Sequence, residues 1–183
     1  DGYGVSIRKI MERKSDYKGI IGVVADIIHV SKEYEIAIET ALGGSISNIV
    51  TDNEQTAKSM IQFLKKNRFG RATFLPLTSI RGRRAENVDR ICGEEGVIGL
   101  ASDLIRVDSQ FGHLADYLLG RVFIVDHIDH ALALAKKYRY SLRIVTLEGE
   151  SLNPGGSLSG GAYKNTGNLL GRHREMEELQ KHV

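Results

Sequence analysis

The sequence predicts an α+β fold of two related, pseudo-symmetric subdomains flanked by short helices. Three observations support this prediction: helical and extended hydrophobic patterns alternate along the chain, a pattern near the start recurs 77 residues later, and both ends are charged with apolar residues at helical spacing. With 183 residues, 42% of them hydrophobic, the chain is long enough to bury a core and too apolar for whole-chain disorder.

The first half alternates between helical and extended patterns and begins with an amphipathic helix over residues 5–14. Residues 53–66 give the clearest helical pattern, because Ala57, Met60, Ile61 and Leu64 share one face and lysines fill the last turn. The polar residues 81–95 favour a surface loop. The other elements predicted here are an extended segment over 20–30, a helix over 32–42, and strands over 46–50 and 72–75.

Residues 96–107 repeat the pattern of residues 19–30. Identical residues stand at matching positions in the pairs Gly19/Gly96, Gly22/Gly99 and Asp26/Asp103. A strand over 122–125, a helix over 127–138 and a strand over 142–147 then follow in the order of the first half. Short α/β segments also share composition by chance, which is the competing interpretation. We interpret the match as an internal duplication, which predicts two subdomains with approximate two-fold pseudosymmetry.

Composition excludes several classes of protein. The formal net charge of +2 is too small to predict a nucleic-acid partner from totals alone. The single cysteine, Cys92, excludes an internal disulfide and is typical of a reducing compartment. The longest apolar stretch, residues 19–30, is shorter than the roughly 20 residues of a membrane span. We therefore expect an intracellular protein without a membrane partner.

The search for catalytic motifs is mostly negative, since the chain has no phosphate-binding P-loop, and acidic neighbours of Cys92 disfavour a reactive thiolate. One cluster resembles a set of metal ligands and consists of Asp126, His127, Asp129 and His130. Because it stands at a predicted helix start, capping is the favoured explanation. The repeated Asp26 and Asp103 could form an acid/base pair, but hydrogen bonds from turn amides are the favoured interpretation.

A glycine-rich run covers residues 153–161. The pairs Gly155-Gly156 and Gly160-Gly161 flank Ser157, Leu158 and Ser159. A flexible linker is one interpretation. The favoured one is an exposed strand poor in side chains, onto which a second copy of the chain can add a strand.

Taken together, these residues resemble the hinge domain of SMC (structural maintenance of chromosomes) proteins over nearly the whole chain. The final segment, 169–175, is most similar to bacterial SMC sequences. The segments that carry the resemblance are 19–26, 37–44, 70–77, 118–120, 144–149 and 153–161. The boundaries it implies are a coiled-coil arm ending at 18, hinge subdomains over 19–95 and 96–168, and a second arm starting at 169.

The resemblance implies a non-enzymatic homodimerisation module of a chromosome-condensing ATPase, cytoplasmic and associated with the nucleoid. ATPase head domains, with kleisin and accessory subunits bound to them, would lie outside this chain, and no cofactor is implied. The implied dimer interface consists of Gly155, Gly156, Ser157, Leu158, Ser159, Gly160 and Gly161.

The family also implies DNA binding near the junction of hinge and arm. Bacterial relatives tend to carry a lysine run after the second glycine pair, whereas this chain keeps only Lys164. We therefore expect weak, salt-sensitive and sequence-neutral binding. The residues expected to contribute are Lys164, Arg172, Arg174, Arg81, Arg83 and Arg84.

Two alternatives remain open. The first is an enzyme or small-molecule-binding α/β protein with a pocket between the duplicated halves, lined by Asp26 and Asp103. The second is a monomeric nucleic-acid-binding module that uses the basic clusters at 65–71, 81–84 and 136–143. Self-association would distinguish the dimerisation module from both.

Overall fold

The computed structural model describes residues 3–162 and 169–181, and the first half of the chain folds around a three-stranded sheet of order β1-β3-β4. Strand β1 runs antiparallel to β3, and β4 runs parallel to β3. The elements of this half are α1 (Val5–Glu12), β1 (Ile20–Val23), α2 (Val24–Ile27), β2 (His29–Val30), α3 (Glu35–Leu42), β3 (Ile49–Thr51), α4 (Glu54–Asn67) and β4 (Phe74–Pro76).

The second half folds around a sheet of order β10-β9-β8-β7-β5. Here β5 runs antiparallel to β7, and β8 runs parallel to β7, as in the first half. Strands β9 and β10 extend this sheet by two antiparallel pairings. The elements are α5 (Val88–Cys92), β5 (Val97–Leu100), β6 (Ile105–Arg106), α6 (Leu114–Leu119), β7 (Val122–Val125), α7 (Ile128–Lys137), β8 (Arg143–Thr146), β9 (Ser151–Leu152), β10 (Leu158–Ser159) and α8 (Leu169–Lys181).

The duplication extends to local details of the backbone. The register of β1 shifts between Ile20 and Gly22, and that of β5 shifts at the matching positions, between Val97 and Gly99. After each of these strands the chain makes one helical turn and then enters a two-residue strand. The two short strands, β2 and β6, pair with each other in antiparallel fashion. The predicted α+β fold with two pseudo-symmetric halves is confirmed.

One hydrophobic core connects both halves and both terminal helices. It includes Ile10 of α1, Ile38 of α3, Ile105 of β6 and Leu170 of α8. A second, smaller cluster lies under α7 and contains Phe123 and Leu134. Because the larger cluster draws on α1 and α8, the terminal helices are anchored on the globular body.

Three predicted elements differ from the structure. Residues 20–30 are not one extended segment, because the turn α2 interrupts them and places the side chain of Val24 in the core. The strand predicted over 46–50 begins only at Ile49, after a 3-10 turn. The predicted loop over 81–95 contains the helix α5, which forms because Ile91, only 1% exposed, packs against the second cluster.

Gly120 marks a close contact between the segment before α5 and the end of α6. A Cβ at this position would lie 1.9 Å from the carbonyl oxygen of Arg83, and the backbone N–H of Ala85 donates to the Gly120 carbonyl at 2.7 Å. We expect Gly120→Ala to lower the free energy of unfolding by about 1–3 kcal/mol, because backbone must move to admit the methyl group. Urea unfolding measures this change.

Gly44→Ala is the matched control for that substitution. Nothing lies within 4 Å of a Cβ at Gly44, and its φ is not positive. We expect a change below about 0.5 kcal/mol there. Equal losses in the two variants would contradict the close contact at Gly120.

Candidate self-association edge and charged groove

The glycine-rich run forms an ordered hairpin. The backbone N–H of Asn153 donates to the Ser157 carbonyl at 2.9 Å, and the N–H of Gly156 donates to the Asn153 carbonyl at the same distance. The side-chain amide of Asn153 also donates to the Ser157 hydroxyl at 3.1 Å. These contacts close the turn between β9 and β10, so the flexible-linker interpretation of the run is wrong.

Strand β10 presents a free backbone edge. Among the strands of the described residues it pairs with β9 alone, with Leu158 opposite Leu152 and Ser159 opposite Ser151. Since the neighbouring Asn153–Ser157 pair is hydrogen-bonded, the alternation of an antiparallel ladder directs the N–H and C=O of Leu158 away from β9. The Leu158 side chain is 57% exposed. This edge therefore combines unpaired backbone groups with an exposed apolar side chain.

The glycines around β10 leave room for another chain. Gly155 and Gly161 have φ values of +93° and +139°, which side-chain-bearing residues rarely adopt, and a Cβ at either position would meet nothing within 4 Å. Gly160 differs, because a Cβ there would lie 3.2 Å from Cγ of Glu150. The hairpin backbone thus demands glycine at Gly155 and Gly161, and no neighbour among residues 3–162 and 169–181 covers them.

The sheet of the first half offers a second edge at β4. The N–H of Ile49 donates to the Thr73 carbonyl and the N–H of Leu77 to the Thr51 carbonyl, both at 2.9 Å. In a parallel ladder, this pattern directs the backbone groups of Phe74 away from β3. Strand β4 ends in Pro76, a residue typical of edge strands because it has no N–H.

A groove of about 1220 Å³ separates the two halves beside β4. Its walls come from both halves, and it contains the exposed Tyr117. Arginines outnumber acidic residues in this lining. The charged residues that line it are Arg81, Arg83, Arg121, Arg143, Glu86 and Asp116.

The pocket expected between the halves is thus present, but neither Asp26 nor Asp103 lines it. Asp103 instead forms a bidentate ion pair with Arg84, at 2.8 and 2.9 Å. The Arg84 guanidinium, which donates these bonds, holds the pKa of the Asp103 carboxyl below its usual value. Asp26 accepts from the Tyr3 hydroxyl at 3.4 Å. Both carboxylates accept hydrogen bonds from side chains, and no backbone N–H of a described residue is found donating to either. The interpretation of them as acceptors of turn amides is therefore wrong.

The predicted DNA-binding residues fall into three groups. Arg81, Arg83 and Arg172 are exposed, and the first two make no ion pair with any described residue. Arg84 is neutralised by Asp103 and also by Asp116, at 3.2 Å.

Arg174 is held by Glu35 and Glu178, and Lys164 lies outside the described residues. Of the predicted set, Arg81, Arg83 and Arg172 are therefore the exposed cations without an ion pair to a described residue, and the Arg81 guanidinium donates to the Thr78 and Ile80 carbonyls at 3.3 and 3.2 Å.

The cluster at the start of α7 has a structural role. The Asp126 carboxylate accepts from the backbone N–H of His127 at 2.7 Å and bonds the His130 ring at 2.8 Å. The first half repeats this arrangement, because Asp52 accepts from the Asn53 N–H and from the Thr56 hydroxyl. The Asp126 carboxylate thus orders the start of α7, but it does not cap the helix in the usual sense, because the N-cap residue is His127 and it makes no side-chain cap hydrogen bond.

The remaining chemical candidate is Cys92. It is half-buried, and burial raises the pKa of its thiol. A raised thiol pKa reduces the thiolate fraction, which agrees with the expectation that Cys92 is not a nucleophile.

Sequence reasoning missed a second group of convergent polar side chains, formed by His29, His173 and Glu177. These residues are far apart in the sequence. The spacing of His173 and Glu177, four residues apart on α8, was the signal that could have placed two of them on one helical face.

The fold, its free edges and its terminal helices define a hinge domain, and the comparison with known families agrees. Residues 17–135 match the family described as SMC proteins Flexible Hinge Domain. The chain belongs to this family. Among the described residues, no helix is long and apolar enough to cross a membrane.

Among its relatives are chromosome partition proteins. The chain is 43% identical to the chromosome partition protein Smc of Bacillus subtilis over 185 residues, which is 100% of this chain and 16% of that protein. It is 41% identical to the protein of the same name from Clostridium kluyveri, over 97% of this chain and 16% of that protein. The chain thus spans about a sixth of the length of these relatives.

Solved hinge structures are similar to this one. A crystal structure described as an asymmetric dimer of the Geobacillus stearothermophilus SMC hinge domain matches with a TM-score of 0.90 and 38% identity, over 99% of this chain and 74% of that chain. The hinge domain of the Pyrococcus furiosus SMC protein matches with a TM-score of 0.73 and 31% identity, over 90% of this chain and 84% of that chain.

The Arg84–Asp103 pair predicts a pH effect. In Arg84→Gln we expect the pKa of Asp103 to rise towards the usual value of an aspartate. Because the pKa is lowered in the folded protein, the pair stabilises the fold above the unfolded-state pKa and loses this contribution as pH falls through the folded-state pKa. The stability difference between wild type and variant should therefore be constant near neutral pH and shrink in acid.

Carboxyl-carbon NMR of Asp103 measures its pKa, and urea unfolding at several pH values measures the stability difference. Arg83→Gln is the control, because Arg83 is exposed and contacts neither Asp103 nor Asp116 through an ion pair. An unchanged Asp103 pKa in Arg84→Gln would contradict the assignment.

Proposed function

We propose that this chain is the homodimerisation hinge of a bacterial SMC protein of chromosome condensation and segregation. The observation that carries the proposal is the free edge of β10, where unpaired backbone, exposed Leu158 and uncovered glycines coincide. A second copy of the chain offers a matching backbone edge at β4. Similar solved hinges include one described as a dimer, which supports the proposal.

In the proposed dimer, β10 of one copy pairs with β4 of the other, and the two-fold axis repeats the contact. Each contact joins a three-stranded sheet to a five-stranded one, so that the β4 and β10 edges of each copy are covered. Pairing through the main chain explains why the interface is rich in glycine: side chains there would keep the second backbone at a distance.

The terminal helices serve in this proposal as the first turns of a long arm, with the hinge subdomains at 19–95 and 96–168 between them. Met176 and Leu179 on α8 are exposed and lie three residues apart, as in a coiled-coil seam. ATPase heads with kleisin and accessory subunits would lie at the far end of that arm, in the cytoplasm on the nucleoid. The hinge itself would do no catalysis.

Leu158→Glu tests the dimer. We expect the wild-type chain to have twice its 20.2 kDa mass in solution and the variant to be a folded monomer, because a charged side chain at the edge opposes strand addition. Light scattering over a dilution series measures the mass, and circular dichroism checks the fold.

Val5→Glu is the matched control for the dimer test. Val5 is also an exposed apolar residue, but it occupies the first turn of α1, where an acidic side chain is tolerated. A variant with Glu at the four glycines would be a less specific test of the interface. Three of these positions have positive φ, so a side chain there would strain the hairpin itself; the four are Gly155, Gly156, Gly160 and Gly161. A wild-type chain that is monomeric at high concentration would overturn the proposal, and a dimer that survives Leu158→Glu would move the interface elsewhere.

We further propose that the groove between the halves gives the hinge weak, sequence-neutral affinity for DNA. Arg81, Arg83 and Arg121 are exposed in its lining and can contact phosphates. Exposed Tyr117 lies in the same groove and can stack on an unpaired base. Arg143 is less available, because its guanidinium donates to the Ala41 carbonyl at 3.0 Å. On the arm side, Arg172 and Lys164 would add to this surface.

The double variant Arg81→Glu with Arg83→Glu tests this proposal. We expect it to bind short DNA more weakly than wild type and with a shallower salt dependence. The slope of log affinity against log salt should fall in magnitude by about 1.4 on single strands and about 1.8 on duplex, because two phosphate contacts are lost. Fluorescence anisotropy with labelled oligonucleotides measures both quantities.

Lys32→Glu with Lys58→Glu is the control, because it changes the net charge equally at exposed positions outside the groove and outside the basic clusters. Equal losses in the two double variants would mean that overall charge, rather than the groove, attracts the DNA. No binding by wild type at low salt would exclude a DNA role for this chain.

A further inference from the structure

Three metal-binding side chains converge where α8 lies on the globular body. His29 comes from β2, while His173 and Glu177 lie one turn apart on the same face of α8. Their ligand atoms all lie within 4.8 Å of one another. The group therefore joins the body of the hinge to its C-terminal arm helix.

The distances fit a shared metal ion. His29 Nδ1 lies 3.0 Å from Glu177 Oε1, and His173 Nε2 lies 3.1 Å from the same oxygen. Ligand atoms about 2.0–2.1 Å from a tetrahedral Zn²⁺ are separated by about 3.3 Å. Two imidazole nitrogens and one carboxylate oxygen are also a donor set that zinc prefers, with a fourth position left for water.

One ligand atom has no other explanation in the described structure. His173 Nε2 is buried from solvent and makes no hydrogen bond with any described residue, since its 3.1 Å contact with Glu177 does not have hydrogen-bond geometry. The other nitrogen of this ring, Nδ1, faces Asp26 at 3.9 Å. Zinc-bound histidines characteristically turn their second nitrogen towards a carboxylate in this way.

The comparison with the second histidine cluster sharpens the assignment. At the start of α7, the Asp126 carboxylate is satisfied by the His127 N–H and by the His130 ring, and the same arrangement recurs in the first half without histidine. That cluster is explained by folding. The group of His29, His173 and Glu177 does not order a helix start in this way.

A cavity of about 400 Å³ next to the cluster admits solvent. His29 and Glu177 line it together with Gln180 and two cations, Arg106 and Lys181. The cavity lets water complete the coordination. The two cations oppose a positive ion, so we expect the bound Zn²⁺ to be exchangeable rather than permanently held.

We propose that His29, His173 and Glu177 bind one Zn²⁺ per chain and that the bound ion fastens α8 to the hinge body. The ion would add a link between β2 and the second and third turns of α8. The same turns already contact the body through the Arg174–Glu35 ion pair and through His173, which faces Asp26. The proposal concerns the single chain and does not depend on dimerisation or DNA binding.

Zinc titration of the untagged, chelator-treated chain by calorimetry is the direct test. We expect one Zn²⁺ per chain in the wild type and in His127→Ala, which alters the other histidine cluster. In His29→Ala and Glu177→Gln we expect affinity to fall by more than the roughly 10–100-fold that loss of an outer-shell partner costs. The monomeric Leu158→Glu variant should bind like wild type.

Cobalt substitution identifies the donors. Co²⁺ in this site should give the intense visible bands of tetrahedral coordination without the charge-transfer band of a thiolate, which Cys92 would produce. Hydrogen exchange of residues 169–181 should slow on adding Zn²⁺ to wild type and stay unchanged in His29→Ala.

Several results would overturn the proposal. These are absence of zinc binding in wild type, equal affinity in His29→Ala and Glu177→Gln, or loss of binding in His127→Ala alone. Zinc binding that leaves exchange in α8 unchanged would overturn the fastening role. Circular dichroism of the metal-free variants shows that lost affinity does not come from lost folding.

Discussion

The antiparallel pairing of β2 with β6 is the contact on which the rest of this structure depends. It joins matching positions of the two repeats, so each half is held against the other by its own counterpart. Around this pair the larger core gathers side chains from both halves and from α1 and α8. The pair and this shared core together hold the two sheets and the terminal helices in place. Because the two halves share one core, we expect them to unfold cooperatively.

Much of this arrangement could be predicted from the sequence. The glycines at Gly22 and Gly99 recur with the repeat, and each stands where the register of its strand shifts. The helical stripe over 53–66 placed α4 within one residue at each end. These elements were predictable because residues close together in the sequence determine them, through hydrophobic periodicity and through glycines at fixed positions.

The errors have a common physical origin, which is packing between distant segments. Residues 20–30 look like one strand because they are rich in β-branched residues, yet the helical turn α2 interrupts them and buries Val24 and Ile27. The helix α5 was hidden in a polar stretch because a single residue, Ile91, anchors it. At the site, Arg84 looked like a free cation, since nothing in its neighbourhood shows that Asp103 and Asp116 will reach it. The glycine run was recognisable, but only the ladder shows which of its backbone groups face outward.

The β9–β10 hairpin has a consequence for partner choice. An edge that binds through its main chain recognises the shape of a strand rather than its sequence, so any related hinge with an accessible β4-like edge is a physically acceptable mate. If a cell makes two such proteins, features other than the main-chain edge must determine which copies pair. In this chain, the side chains available for that purpose are few, and Leu158 is the most prominent among those described. In the proposed dimer, correct pairing would depend on the few side chains beside this edge, and small changes there would convert a homodimer into a pairing of two different chains.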